Sequence, residues 1–158
     1  MYSQEKHLAN LIRHKELIKD AGILLGTRLF EQGRSELGRQ VVARGFAHDN
    51  SKFFGIEWQF LHAGNDVPKE DLDRAIAQHH ATNPHHAEFF GGFGNMDEIS
   101  VYEMACDFYA RAQEFGTDLR SYVKTAANGR LKIDNHPVQK SWLENAIEIL
   151  LEDAFVRD

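Results

Sequence analysis

The stretch SQEKHLANLIRHKELIKDAGILLGTRLFEQ, residues 3–32, decides the fold class. Apolar side chains recur in it at intervals of three or four residues, which is the period of one face of an α-helix. This apolar stripe contains Leu11, Ile18, Ala21 and Leu25. Ser3 can cap the start of the helix and Gly33 can end it. The stretch therefore predicts one long helix, or two helices end to end with Gly22 and Gly26 as bending points.

The same helical period recurs along the rest of the chain, and strand-like alternation is scarce. Further helices are predicted at about 35–46, 54–63, 67–80, 97–115, 117–127 and 141–155. Pro84 disfavours helical geometry at Asn83 and so breaks the helix that begins near residue 67. We predict an all-α protein, folded as one compact single-domain helical bundle over residues 1–158.

Composition narrows the classes of partner. Eighteen basic against twenty-four acidic residues give a formal charge of −6, which argues against an extended nucleic acid or an anionic membrane as the partner. A small anionic ligand is still compatible with this charge. Cys106 is the single cysteine, so neither an intrachain disulfide nor a thiolate zinc cluster can form. No signal-peptide pattern and no run of about eighteen apolar residues occurs, and we expect a cytoplasmic location.

Four side chains that can bind metals lie at positions that point to a metal site. His14 lies on the apolar stripe of the first helix, where a buried imidazole needs a partner; a backbone carbonyl is the simple alternative to a metal. His48 and Asp49 are adjacent within ARGFAHDNSKFFGIEW, residues 43–58. Asp107 flanks the apolar stripe of a later helix and needs compensation by a cation or several donors.

A histidine cluster is found in AIAQHHATNPHHAEFF, residues 75–90. It contains His79, His80, His85 and His86, with Glu88 two residues later. The Pro84 turn can fold one histidine of each pair back toward the His48-Asp49 motif, and we favour His80 and His86. A histidine-rich turn on the surface is the alternative interpretation.

In its order His14, His48-Asp49, Asp107, the chain resembles the HD superfamily of metal-dependent phosphohydrolases. Its segments HDNSKF and NPHHAE look closest to small single-domain deoxynucleotidases and to HD-like proteins of phages and bacteria. The resemblance implies an HD-type helical fold and hydrolysis of a nucleotide or deoxynucleotide phosphate. It also implies a metal held by these four residues, with a second ion if histidines between Asp49 and Asp107 take part.

Histidine and carboxylate ligands suit Mn²⁺, Co²⁺, Ni²⁺, Fe²⁺ or Zn²⁺ better than Mg²⁺ or Ca²⁺, and one or two ions are expected. Where the related nucleotidases often carry acids four and nine residues after the motif histidine, this chain has Lys52 and Glu57. We therefore expect catalysis to involve Asp49, Lys52 as a phosphate contact and Glu57 as general acid or base. Glu57 as a plain exposed helix residue is the alternative.

Arg28 and Arg111 are candidates for neutralising the substrate's phosphate, although each could equally form a surface salt bridge. Two other functions stay open beside the nucleotide phosphohydrolase. One is a di-iron oxygenase on the same scaffold, for which the additional histidines speak. The other is a non-catalytic module that binds a small-molecule nucleotide. The broad apolar face of the last helix also leaves a homo-oligomer open.

Overall fold

The long first helix forms without interruption. In a computed structural model that describes residues 3–62 and 66–154, α1 runs from Gln4 to Glu31. The Ser3 side chain accepts a hydrogen bond from the Lys6 amide at its start, and the chain leaves the helix at Gly33, which has a positive φ of 79°. The sequence prediction of a helix across this stretch is confirmed, in the form of one helix.

Most of the remaining described residues are helical as well. The α-helices are α2 (Ser35–Ala47), α3 (Gly55–Phe60), α4 (Lys69–Thr82), α5 (Glu98–Phe115), α6 (Leu119–Tyr122), α7 (Asn128–Leu131) and α8 (Pro137–Ala154). Short 3₁₀ turns cover Asn50–Phe53, Ala87–Phe90, Phe93–Asn95 and Ile133–Asn135, and a π turn, Val123–Ala127, joins α6 to α7. No strand occurs within 3–62 and 66–154, so the all-α prediction is confirmed. The predicted helix ends at 63 and 155 lie outside the described residues.

Glycines set the distance between α1 and α2, which form the most extensive helix pair. A Cβ atom placed on Gly26 would lie 2.7 Å from the carbonyl oxygen of Gly38 and 2.5 Å from a methyl group of Val42. A Cβ atom on Gly22 would lie 3.2 Å from the Cα of Gly45. The α1 glycines thus serve close helix contact, where the sequence had suggested bending points.

The central helix of the core is α5, which packs against α1, α2 and α8. Every side chain from Ser100 to Cys106 is buried. The buried faces of α1 and α8 meet it through residues such as Ile18, Leu25, Leu143 and Leu150. Because α5 is held on several sides, the polar residues along it are fixed in position. None of the helices in the described ranges combines the length and apolarity needed to cross a membrane.

Replacing Gly26 by alanine should destabilise the fold, because the new methyl group meets the Gly38 backbone at a distance that packed atoms do not adopt. Overpacking of this kind costs about 1–3 kcal/mol. Chemical denaturation followed by circular dichroism measures the loss. The control is Gly129→Ala in α7, where no atom lies within 4 Å of the added Cβ. Alanine favours a helix by up to about 1 kcal/mol over glycine, so the control should be neutral or stabilising. Equal effects of the two substitutions would contradict the assigned role of Gly26.

Candidate metal centre

The adjacent residues His48 and Asp49 point to one centre because the backbone turns sharply between them. His48 ends α2 with φ −51° and ψ 131°, and Asp49 takes the left-handed conformation with φ 56° and ψ 19°. These angles are near those of the two central residues of a type II turn. In a helix or a strand, neighbouring side chains diverge, so this turn is what lets both side chains converge. Positive φ in a residue other than glycine is uncommon and typical of functional sites.

Lys15 secures this turn from α1. Its Nζ donates to the carbonyl oxygen of Phe46 at 3.1 Å and to that of His48 at 2.7 Å, and it also donates to the side-chain oxygen of Asn50. The three acceptors lie on both sides of the left-handed Asp49. Because Lys15 directly follows His14 in α1, these hydrogen bonds hold the His14 part of α1 against the His48-Asp49 turn at the end of α2.

The first ligand group consists of His14, His48, Asp49 and Asp107. His14 Nε2 lies 3.1 Å from Asp107 Oδ1 and 4.0 Å from Asp49 Oδ2. His48 Nε2 lies 3.5 Å from Asp49 Oδ2 and 4.0 Å from Asp107 Oδ1. With metal–ligand bonds of about 2.1 Å, two ligand atoms lie about 3 Å apart at a right angle and about 4.2 Å apart across the ion. All four distances fall in that interval.

The second ligand group meets the other oxygen of Asp49. His79 Nε2 lies 3.3 Å and His85 Nε2 lies 3.5 Å from Asp49 Oδ1. His79 comes from the last turn of α4 and His85 from the turn after Pro84, and both are buried. The Asp49 carboxylate therefore stands between two ligand groups, with one oxygen toward each.

Glutamates hold the imidazole rings from behind. Glu114 lies 3.0 Å from His14 Nδ1, and Glu103 lies 2.9 Å from His48 Nδ1. Glu57, which is completely buried, lies 2.8 Å from His79 Nδ1. Because an ionised carboxylate only accepts, each Nδ1 must carry the proton and donate it. In a neutral imidazole of this tautomer the lone pair is on Nε2, the nitrogen that lies toward the Asp49 carboxylate or Asp107.

Several inward atoms lack a hydrogen-bond partner although they are buried. Among the described residues these include Nε2 of His14, His48 and His79, together with Oδ1 of Asp49 and of Asp107. His14 Nε2 and Asp107 Oδ1 are close, but the contact does not have hydrogen-bond geometry. Each buried polar group without a partner costs about 1–3 kcal/mol. A concentration of such atoms with ligand chemistry fits a cation that would satisfy them together. Ligand atoms of His14, His48 and Asp49 lie within 4.8 Å of one another, as do those of His79, His85 and His86, so the centre could hold a metal ion.

Asp49 and Glu103 are anionic at neutral pH. Burial alone would raise the pKa of Asp49, but the neighbouring His48, His79 and Lys52 outweigh it and hold that pKa well below its usual range. Burial likewise opposes ionisation of Glu103, yet the hydrogen bond from His48 and the nearby His85 lower its pKa to about 2. Both carboxylates are consequently available as a ligand and as an acceptor, respectively.

A cavity of about 520 Å³ adjoins the second ligand group. Its polar wall includes His79, His85 and Asp107, and three cationic side chains border it: Lys52, Arg111 and Arg130. Lys52 Nζ lies 2.7 Å from Asp49 Oδ2, and Arg111 pairs with Glu114, which in turn holds His14. Positive charge thus stands beside the carboxylates in an opening that a small anion can enter.

The structure brings most of the predicted site residues together and leaves one apart. His14, His48, Asp49 and Asp107 come together, and Lys52 and Arg111 border the cavity. Arg28 does not: it lies 14 residues beyond His14 on α1, about 21 Å along the helix, and pairs with Glu31. The structure therefore places Arg28 away from the ligand groups.

Of the two histidine pairs, the structure brings His79 and His85 to Asp49, where the sequence had favoured His80 and His86. The spacing of residues along α4 could have indicated which histidine points inward. His79 lies four residues after the buried Ala75, on the inward face, whereas His80 lies at its edge and is partly exposed. His86 borders the cavity beside His79, with ring centroids 4.8 Å apart.

Glu57 is neither exposed nor at the cavity wall. Its Oε2 accepts hydrogen bonds from Ser51 and His79, which makes it a residue that orients a ligand. Glu103 and Glu114 were missed by the sequence analysis. Both lie on the Asp107 face of α5, one turn before and two turns after it, and that spacing was a usable signal.

With the geometry established, comparison with known proteins adds the family. A family of unknown function, DUF5662, matches residues 3–149. The chain belongs to this family. The match covers α1 to most of α8 and therefore every residue of the two ligand groups. No curated protein and no solved structure shows significant similarity to the chain.

Replacing Lys15 by methionine should loosen the His48-Asp49 turn, because two carbonyl oxygens and one amide oxygen lose their shared donor. We expect a loss of about 1–3 kcal/mol in unfolding free energy, and weaker Co²⁺ binding measured by titration calorimetry. Lys19→Met is the matched control one turn later, since Lys19 pairs with Glu16 on the surface and such changes stay within about 0.5 kcal/mol. Unchanged Co²⁺ affinity in a folded Lys15→Met protein would refute the role of Lys15.

Proposed function

We propose that this protein is a divalent-metal-dependent phosphohydrolase that acts on a nucleotide or deoxynucleotide phosphate. The observation that carries the proposal is the position of the Asp49 carboxylate between two groups of inward-facing ligand atoms, beside a cavity bordered by Lys52, Arg111 and Arg130. The order of ligands along the chain, which resembles that of HD-type phosphohydrolases, supports the same conclusion.

Two ions fit the ligand groups. One would be held by His14, His48, Asp49 and Asp107, and the other by Asp49, His79 and His85. The mixture of imidazole and carboxylate favours Mn²⁺, Co²⁺, Ni²⁺, Fe²⁺ or Zn²⁺. Bound ions of this kind lower the pKa of a coordinated water and polarise a phosphoryl oxygen.

The protein's own side chains would bind and orient the phosphate. Lys52 is mostly buried against Asp49, so its ammonium group is in place before a ligand arrives. Arg111 is held by Glu114 and borders the same cavity, where a guanidinium can make two parallel hydrogen bonds to a phosphate. Arg130, which the sequence analysis did not select, adds a third positive charge from α7.

The far wall of the cavity suits the remainder of a nucleotide. Apolar and aromatic side chains form it, among them Phe108, Tyr122 and Leu131. Phe108 and Tyr122 pack edge to face with ring centroids 5.3 Å apart. A mostly apolar cavity with a few convergent polar groups is the usual form of a small-molecule site, and the volume is in the usual range of about 300–1,000 Å³.

A di-iron oxygenase is the second candidate function. The observation that favours it is the second ligand group, because a carboxylate between two sets of histidines also suits a pair of iron ions. A module that binds a nucleotide without turnover is the third. Oxygen uptake and colour after iron loading distinguish the oxygenase, and release of phosphate or pyrophosphate distinguishes the hydrolase from the binding module.

The deciding experiment is a nucleotide panel incubated with protein loaded with Mn²⁺ or Co²⁺, with phosphate and pyrophosphate release as the measurement. We expect release that a chelator abolishes. Asp49→Asn should lose both bound metal and activity, because it removes the charged ligand shared by the two groups. Asp73→Asn, an exposed residue of α4 paired with Lys69, is the control and should behave as wild type. A metal-loaded protein that releases neither product from any nucleotide would overturn the proposal.

The role of Glu57 can be tested separately from the overall activity. If Glu57 orients His79, the substitution Glu57→Gln should weaken binding of the second ion by about 10–100-fold. Excess metal should then restore turnover. A general acid or base would instead leave turnover lower by about 10²–10⁴ at saturating metal. Activity and bound Co²⁺, measured over a range of metal concentrations, separate these outcomes, and thermal unfolding verifies that the variant is folded.

A further inference from the structure

A third group of ligand atoms lies at the mouth of the cavity. It consists of His80, His86 and Glu88, and one ligand atom from each lies within 4.8 Å of the others. The imidazole rings of His80 and His86 have centroids 4.6 Å apart, and His80 Nδ1 is 4.0 Å from Glu88 Oε1. All three residues border the cavity. We call this group the outer cluster.

Local structure explains why the outer cluster forms. His80 stands in the last turn of α4, which ends before Pro84. The chain then reverses, and His86 precedes the 3₁₀ turn Ala87–Phe90 that contains Glu88. The amide of Phe89 donates to the His86 carbonyl, which fixes that turn. Three ligand side chains therefore meet across one short reversal of the backbone.

The outer cluster adjoins the two groups around Asp49, because a ligand atom of His86 also lies within 4.8 Å of ligand atoms of His79 and His85. Those groups already contain four and three ligands without His86. His86 is half-buried between these groups and His80, with its ring centroid 4.2 Å from that of His85 and 4.6 Å from that of His80. Neither the His80 nor the His86 imidazole makes a hydrogen bond to any residue in the described part of the chain, so their nitrogens are available as ligands.

We propose that His80, His86 and Glu88 form a third metal site, which takes a divalent transition ion such as Co²⁺ or Zn²⁺. Two imidazoles and one carboxylate are a recurrent protein set for such ions. The side chains of His80 and Glu88 are 29% and 45% exposed, so this site binds more weakly than those around Asp49. Three protein ligands leave coordination positions open on the cavity side, where a ligand's anionic group can reach the ion.

The test is equilibrium dialysis of the chelator-treated full chain against Co²⁺, with bound cobalt counted by mass spectrometry. We expect three equivalents in wild type and two in both His80→Ala and Glu88→Gln, with the weakest-binding equivalent lost. His62→Ala and Glu70→Gln change a histidine and a glutamate outside the cluster and should keep all three. Circular dichroism verifies that every variant is folded.

The result is independent of the proposed phosphohydrolase activity. An equivalent that disappears in both His80→Ala and Glu88→Gln, yet persists in Asp49→Asn, supports the outer site whether or not the Asp49 groups bind metal. The proposal is overturned if neither cluster substitution changes the cobalt count. It is also overturned if His86→Ala removes the tightest equivalent, because His86 would then belong to the Asp49 centre.

Discussion

The left-handed conformation of Asp49 is the constraint on which the site depends. It lets two adjacent side chains converge and turns the two carboxylate oxygens toward different sets of histidines. Strain of this kind persists only where surrounding contacts over-determine it. Here the contacts come from Lys15 on α1, from Lys52 within the following turn, and from imidazoles that arrive on α1, α4 and the Pro84 turn.

Around this residue the helices act as rigid supports with different tasks. Helix α5 contributes one inward carboxylate, Asp107, and two glutamates that hold imidazoles, Glu103 and Glu114. Each of these glutamates also pairs with an arginine, Arg44 or Arg111. The arginine offsets the charge of the glutamate, which stays in place as the acceptor that fixes the orientation of the imidazole. The sequence of α5 therefore has to satisfy the packing of the core and the geometry of the site at the same time.

Much of this could be predicted from sequence because helical periodicity depends on local spacing. The stripe of α1 places His14 inward, and the helix bounds follow from caps, glycines and Pro84. Other assignments depend on distances in space that the spacing of residues along the chain does not give. Arg28 was assigned by charge, although a helix carries it far from His14. Glu57 was assigned by its separation from His48, whereas its contact with His79 depends on α4, which packs against α3 and brings His79 within reach. The supporting glutamates depend on which helices meet, and periodicity alone does not give that.

The π turn at Val123–Ala127 affects which side chains of this segment face the cavity. Tyr122 and Arg130 are eight residues apart and both border the cavity. In a regular α-helix, at about 100° per residue, that separation would rotate the second side chain by roughly 80° from the first. A π turn takes up one extra residue, which brings the two back to nearly the same side. A chain one residue shorter between 123 and 127 would present the same pair from an ordinary helix. Tightening the present sequence into that helix would turn the Arg130 guanidinium away from the cavity, so this wall tolerates a change in length better than a change in winding.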